Sequence, residues 1–446
     1  MRTLRQWVGE TTGGLPRQFW YIWATMLINR MGSFVLVVLA IYLTQIRGFS
    51  ESFAGLVIGL WGAGSAVGTM LGGTLADRWG RKPTFLTALY SSAAMMIVVG
   101  FVSGRLATAI SVTMLGLVAE GSRPAMSALM VDIVPEKDRV RAFSLNYWVI
   151  NLGFAFSATV AGFLIGVDVR LLFLLDAATT IAAATFVALK INEPVRERPA
   201  VTPAVAAASS GAAAGVTATP SRVDGGGLGT VLRDRVFLAF VGVNLLTALI
   251  FMQHLSTLPM TMSRDGLPAS TYGSVIALNG VLIVLGQLFL TRLLKRLQPT
   301  VALAVASVIL GVGFGLTAFA HTPMIYAVTV LIWTVGEMFH APSNSATVAN
   351  LSPAHMRGRY QGVFSLSWSA AGFFAPLLGA AVLQYGGKAT LWLGCLGLAL
   401  VIAAIHLSAR PSRERRIAEL TAASDQSPAP PPTAAPSVPA PAPATA

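Results

Sequence analysis

Twelve apolar runs, each bounded by polar residues or by Gly and Pro, recur along the 446 residues of this chain. A helix that crosses a bilayer needs about 20 predominantly apolar residues, and in hydrocarbon a segment must satisfy its backbone hydrogen bonds internally. The runs therefore predict an all-α integral membrane fold of twelve transmembrane helices, over 18–44, 53–76, 83–103, 107–132, 141–165, 169–190, 236–262, 271–293, 299–319, 323–349, 360–384 and 388–408. Composition agrees: 54% of residues are hydrophobic and only 11% are charged, too little charge for a water-soluble chain of this length.

The formal charge of +13 raises nucleic acid as a partner, and the placement of the bases removes it. With a cytoplasmic N-terminus, 24 of the 31 Lys and Arg fall in cytoplasmic segments, whereas Arg47, Arg105, Arg170, Arg264 and Lys388 fall outside and Arg30 and Arg123 lie within spans. This asymmetry follows the positive-inside rule and needs only the lipid bilayer as partner. It predicts a multi-pass plasma-membrane protein with both termini cytoplasmic. Met1 to Trp20 is basic and has no cleavable apolar core, so the first span is expected to serve as an uncleaved insertion signal. One cysteine, Cys395, excludes an internal disulfide and a multi-cysteine metal site, and no cofactor is expected.

Sliding the chain by 218 residues aligns Gly48 with Gly266, Gly55 with Gly273, Gly68 with Gly286, Leu75 with Leu293 and Arg78 with Arg296. The same offset pairs Pro124 with Pro342, Ser127 with Ser345, Pro135 with Pro353 and Arg139 with Arg357. After a three-residue insertion, Phe143-Ser144-Leu145 pairs with Phe364-Ser365-Leu366. A single long offset marks an internal duplication. Because six spans return the chain to its starting side, the two halves, 18–190 and 236–408, are expected to be parallel repeats about an axis along the membrane normal, with a substrate site between them near the midplane. Residues 1–17 form a cytoplasmic N-terminus. The segment 191–235, rich in Ala, Ser, Gly and Pro, is expected to be a partly disordered cytoplasmic linker, and 409–446 a cytoplasmic Pro/Ala-rich tail.

Between the second and third runs lies Gly73-Thr74-Leu75-Ala76-Asp77-Arg78-Trp79-Gly80-Arg81-Lys82. Glycine here suits close helix approach and a tight turn, and Asp77 suits the positive end of a facing helix dipole near Tyr360. The stretch resembles the G-x-L-a-D-r-x-G-r-k loop of the major facilitator superfamily, with Gly73, Leu75, Asp77, Arg78, Gly80, Arg81 and Lys82 on the motif positions, and the resemblance extends over about 18–408. It implies that Asp77, Arg81 and Asp132 latch the halves together on the cytoplasmic side in one state. Lys295 stands at the equivalent place in the second half, making the latch asymmetric. The plainer reading of these charges is loop solubility and topology.

A charged side chain near the centre of a span costs about 2.5–3.5 kcal/mol on insertion scales, so each one calls for a partner or a purpose. Arg30 lies midway along the first span. Glu120 and Arg123 lie three apart on the fourth, and Glu337 lies on the tenth, one position from the repeat mate of Glu120. In the family, spans one, four, seven and ten line the central cavity, which would place all four charges beside the substrate path. Glu120 and Arg123 could simply neutralise each other. Glu337 has no base among its helical neighbours Trp333, Thr334, His340 and Ala341, and a carboxyl without a cation in a low-dielectric medium protonates more readily. Glu337 and Glu120 are thus the proton-coupling candidates. Tyr147, Asn151, Asp176, His254 and His340 are further candidates for the cavity. Trp23, Trp148, Phe251, Trp333 and Phe339 could add an aromatic wall, although such residues more often pack or anchor spans.

Ala142 to Gly153 is similar to the fifth span of twelve-span bacterial drug/proton antiporters. Their g-x-x-x-G-P-x-x-G-G signature is only partly present: Gly153 and Gly162 match, but Ser157 and Ala158 replace Gly-Pro. The R-x-x-q-G motif of their fourth span is absent. Asn29-Arg30 and Tyr147 to Asn151 faintly resemble proton-coupled oligopeptide symporters, without the acidic E-x-x-E-R element. The expectation is a monomeric secondary transporter exchanging protons for small hydrophobic or cationic drug-like compounds, with symport of peptides or other small solutes as the second reading and a nontransporting receptor as a remote third. A His-Glu-x-x-His run and a Walker lysine loop are both missing, which argues against a zinc hydrolase and against direct ATP drive.

Overall fold

The computed structural model describes residues 13–135, 138–191, 228–294, 297–353 and 356–425, all helix and connecting turns with no strand among them. Most of the linker, the terminal part of the tail and Lys295 fall outside the described residues. The helices run in chain order as α1 (Arg17–Met31), α2 (Phe34–Ile41), α3 (Glu51–Trp79), α4 (Arg81–Phe101), α5 (Arg105–Glu120), α6 (Ser122–Ile133), α7 (Arg139–Leu164), α8 (Val169–Lys190), α9 (Arg235–Phe251), α10 (Gln253–Arg264), α11 (Ala269–Leu294), α12 (Pro299–Leu316), α13 (Pro323–Leu351), α14 (Arg357–Ser408) and α15 (Arg410–Asp425). One end of the bundle, here the terminal end, gathers the turns near residues 80, 135 and 353, and the distal end gathers those near 48, 104, 166 and 266.

Among the described residues, ten helical stretches are long and apolar enough to cross a membrane. Several of the predicted runs look different in the structure. The run 107–132 is divided into α5 and α6 at Gly121, where Glu120 and Arg123 flank the junction. The runs 360–384 and 388–408 lie in one long helix, α14, interrupted at Gly387. There φ is 82°, a left-handed conformation that glycine adopts without a side-chain clash. The first run is also discontinuous. Its helix stops at Gly32 and Ser33, restarts as α2 and ends in a π-helical turn over Tyr42–Ile46.

Short polar caps set several helix starts. The side chains of Ser50, Asp168, Asp234 and Thr322 accept backbone N–H bonds from the first turns of α3, α8, α9 and α13, and Pro299 and Pro323 open α12 and α13. Many large apolar side chains remain on the outside, among them Leu106 at 75% exposure, Val167 at 77% and Leu189 at 75%. An apolar exterior over helices of this length has lipid as its solvent.

The last helix uses bases that composition alone assigns to solvent. Arg413 of α15 is only 2% exposed; its guanidinium lies 2.9 Å from His406 Nδ1 and over the ring of Phe240. Arg416 donates to Asp234 at 3.0 Å, and the same carboxylate accepts the Tyr360 hydroxyl at 2.9 Å. These bonds fasten α15 across the terminal ends of α9 and α14.

Candidate functional site

Three of the charges predicted within spans, Arg30, Glu120 and Arg123, lie together. Glu120 and Arg123 pair at 2.5 Å across the α5–α6 junction, and the Arg123 side chain keeps 29% exposure. Arg30, at the end of α1, lies within the electrostatic reach of both. Its backbone and Cβ press on Gly153 of α7, where a methyl group would have no room. Two residues earlier on α7, Asn151 donates to the Tyr147 carbonyl at 2.9 Å, and Tyr147 lies close enough to Glu337 of α13 to feel its charge. Glu337 is held by Asn279 of α11, whose amide donates to Oε2 at 2.7 Å and to Thr334 Oγ1 at 3.1 Å. Arg30, Glu120 and Arg123 of the first half thus form one cluster, and Glu337 of the second half is held apart from it by Asn279, facing Tyr147. Sequence reasoning missed Asn279 and Thr334. The available signal was an amide inside an otherwise apolar run.

Three other candidates are buried among packed side chains. Asp176 of α8 is 1% exposed, and its Oδ2 accepts the Val35 N–H at 3.0 Å where α2 restarts, so it caps a broken helix. His254 is 7% exposed, with Nδ1 2.5 Å from the Phe251 carbonyl and its ring against Phe251 and Trp333. His340 is buried on α13. Trp333 itself is 1% exposed and stacks on Phe314, which stacks on Trp392. These rings fill the interior of the second half.

At the terminal end, Gly80 has a φ of 110°, and this left-handed residue lets α3 turn directly into α4. Arg81 forms an ion pair with Asp132 of α6. Lys82 donates to the Ala188 carbonyl at 2.8 Å, while Asp77 and Arg78 are exposed. The close backbone approach of α3 is made by Gly64, Gly68 and Gly72, against Thr113, Leu117 and Gly121; Gly73 is buried beside them. Tyr360, the expected neighbour of Asp77, directs its hydroxyl to Asp234.

The distal end is shut. Gly55, Gly59 and Gly62 of α3 press onto the backbone of Pro376, Phe373 and Gly372 in α14, and Gly273 and Gly280 of α11 press onto Ala158 and Asn151 in α7. Small residues permit this approach because two helix backbones can touch without side chains between them. Above these seams Gln45 bonds to Ser263, Glu51 and Arg264 form a two-pronged ion pair at 2.5 Å, and the Ser52 N–H reaches Gln384 at 2.8 Å. Nearby, Arg47 donates to the Val102 carbonyl at 2.7 Å and to Thr108 at 3.4 Å. Asp265 accepts from Tyr326 at 2.6 Å and from Lys388, which also bonds the Ala320 carbonyl.

A helical bundle with glycine seams and a charged centre is shared by several transporter folds, and comparison with known proteins decides among them. The sequence model of the Major Facilitator Superfamily matches residues 22–376. The chain belongs to the Major Facilitator Superfamily. Among curated relatives of this superfamily protein, a Na(+), Li(+), K(+)/H(+) antiporter of Planococcus maritimus is 23% identical over 360 residues, covering 76% of this chain and 83% of the relative. Multidrug resistance protein MdtH of Aeromonas salmonicida is 23% identical, with 86% and 92% covered. Among solved structures, a POT family transporter in complex with 5-aminolevulinic acid superposes with a TM-score of 0.73 at 14% identity, covering 90% of this chain and 98% of that one. At that identity the likeness speaks for the fold. The superfamily protein is a multi-pass membrane transporter.

Proposed function

We propose that this protein is a proton-coupled antiporter that moves small hydrophobic or cationic compounds out of the cell by alternating access. The observation that carries the reading is Glu337, a carboxyl inside a span held by Asn279 and close enough to Tyr147 of the opposite half to interact with it electrostatically. The names of the antiporter and multidrug-resistance relatives support exchange and a drug-like substrate. The protein works as a monomer.

The proposed architecture is twelve crossings in two six-helix halves, 18–190 and 236–408, joined by the linker 191–235 and followed by the tail 409–446. Contacts at the distal end support the duplication. Gln45 and Ser263 are 218 residues apart and touch each other, as residues on a two-fold axis do. Arg47 ties together positions 102 and 108, and the residue 218 further on, Asp265, with Lys388, ties together 320 and 326. Gly62 packs on Gly372 and its mate Gly280 packs on Asn151, the mate of Gly372 once the insertion is counted.

In this account the terminal end is cytoplasmic and the conformation faces inward. Protons from outside neutralise Glu337, with Glu120 as a second acceptor, and the halves rock about the axis. The pair formed by Arg81 and Asp132, with Gly73, Asp77, Arg78, Gly80 and Lys82, latches the cytoplasmic side when that side closes. Each positive charge moved inward contributes about 2.3 kcal/mol per 100 mV, enough for about a fifty-fold solute gradient.

Purified protein in liposomes with an acidic interior tests the direction of exchange. Ethidium, added outside, should accumulate inside as protons leave, by up to about tenfold per pH unit for one-for-one exchange, and nigericin should abolish the accumulation. Ethidium movement in the same direction as protons would establish symport and overturn antiport. Proton leak unaffected by ethidium would remove coupling altogether.

A further inference from the structure

Asp176 is used by nothing in the central site, yet it is one of the most deeply buried carboxyls in the chain, at 1% exposure. It faces the break in the first span. Oδ2 accepts the Val35 N–H at 3.0 Å, at the N-terminus of α2, where the helix dipole favours a negative charge. Oδ1, in the same dry pocket, makes no hydrogen bond of its own; the Phe34 N–H beside it, which also acts on the carboxylate, is spent on the Gly32 carbonyl at 2.8 Å. A carboxylate oxygen carries lone pairs that are costly to leave unpaired away from water, and binding a cation there removes that cost.

A metal cation does not fit. The carbonyl oxygens around the break are already taken: Ile28 by the Gly32 N–H at 3.0 Å, Arg30 by the Ser33 N–H at 3.3 Å, Asn29 by the Ser33 hydroxyl at 2.8 Å and Ser33 by the Ser157 hydroxyl at 2.6 Å. Thr179 spends its hydroxyl on the Asp176 carbonyl. Hard cations need several free oxygens; a proton needs one. No charged side chain acts on Asp176. On the elements packed around it, Arg30 of α1 turns toward Glu120 and Arg123, and Tyr42 after α2 bonds the Val99 carbonyl. Lys82 and Tyr90 of α4 bond Ala188 and Thr185, more than two turns away along α8. From α7, Tyr147 lies toward Glu337, and the hydroxyl of Ser157 is directed to Ser33.

We propose that Asp176 is a second proton-binding site, one that sets the distal gate. The inference rests on the proton-driven reading above and adds to it a site outside the cavity. As an anion, Asp176 holds α2 in its broken position, and α2 leads through the turn Tyr42–Ile46 to Gln45, which bonds Ser263 across the seam. A proton on Oδ1 removes the charge that the α2 N-terminus attracts, weakens the cap and frees α2 to shift, so the distal contacts open. Proton binding is then tighter in the outward-facing state and release favoured in the inward-facing one, the order an importer of protons requires.

The test uses the full chain with Cys395→Ala and spin labels at Leu106→Cys and Met324→Cys, repeat-related distal positions that are 75% and 73% exposed. Distances are recorded across pH in nanodiscs without substrate. The parent should gain a longer-distance population as pH falls, and Glu337→Gln should keep that response even where its transport is lost. Asp176→Asn, a permanently neutral stand-in, should hold the longer distance at every pH. Should Asp176→Asn not be recovered from membranes, Asp176→Glu must move the midpoint of the titration. A parent insensitive to pH, an Asp176→Asn protein that titrates like the parent or stays at the short distance, or an Asp176→Glu protein with an unmoved midpoint would overturn the inference. Loss of ethidium-linked proton flux with the pH response intact would sink the antiport reading and leave this one standing.

Discussion

Glu337→Gln is expected to reach the membrane at normal abundance and to lose proton-driven transport. Gln has nearly the same volume as Glu and can still meet the Asn279 amide through its carbonyl oxygen, so packing around α11 and α13 survives. What disappears is the ability to alternate between a neutral and a charged state. Coupling free energies between sites are typically about 1–3 kcal/mol, so transport driven by a pH gradient should fall about 5- to 150-fold, while downhill substrate exchange should persist. Glu120→Gln should be milder, because Arg123 sits at 2.5 Å from Glu120 and an ion pair already opposes protonation there. Counterflow beside pH-driven uptake in the same liposomes separates the two properties. A Glu337→Gln protein with full proton-driven transport would remove this residue from the pathway.

Gly62→Leu should be equally damaging for a different reason. A Cβ at Gly62 would stand 2.5 Å from the Gly372 carbonyl oxygen and 3.1 Å from the Phe373 nitrogen, and backbone atoms in a helix cannot swing aside. Overpacking a tight contact costs about 1–3 kcal/mol, sometimes more. The clash exists only while the distal seam is closed, so the whole penalty falls on one side of the conformational equilibrium and shifts it by about 5- to 150-fold. The variant should be abundant, trapped open at the distal end and nearly inactive. Gly280→Leu should behave alike, since its Cβ would meet the Asn151 carbonyl oxygen at 2.6 Å. Normal transport by both variants would mean that these seams do not separate during the cycle.

The helical membrane fold was legible because lipid allows so few alternatives. Long apolar runs with basic flanks dictate helices, and the Gly80 turn followed from its glycine spacing. The pairing of Glu120 with Arg123 was legible for a related reason: charge in a span needs company. What escaped was tertiary. The Gly32-Ser33 pair is a kind of pair at which helices kink, but whether the chain breaks there depends on Asp176 arriving from α8 to cap the restart. Asp176 itself was expected in the cavity because its depth in the span was visible and its partner was not. Asn279 escaped because its role is to bind Glu337 from another helix, and His254 because burial against Phe251 and Trp333 cannot be seen along one strand of sequence. Arg413 and Arg416, counted among the cytoplasmic bases, turned out to fasten a further helix through His406 and Asp234.

Alternating access about the central charges underlies every step above, and thiol labelling at Tyr147→Cys in a Cys395→Ala background measures it directly. A membrane-impermeant methanethiosulfonate reagent is applied to right-side-out and to inverted vesicles. Reaction from both sides is expected, faster from the cytoplasm in the conformation described and shifting toward the exterior at acid pH. Protection from both sides, or reaction from one side alone under every condition, would contradict the account.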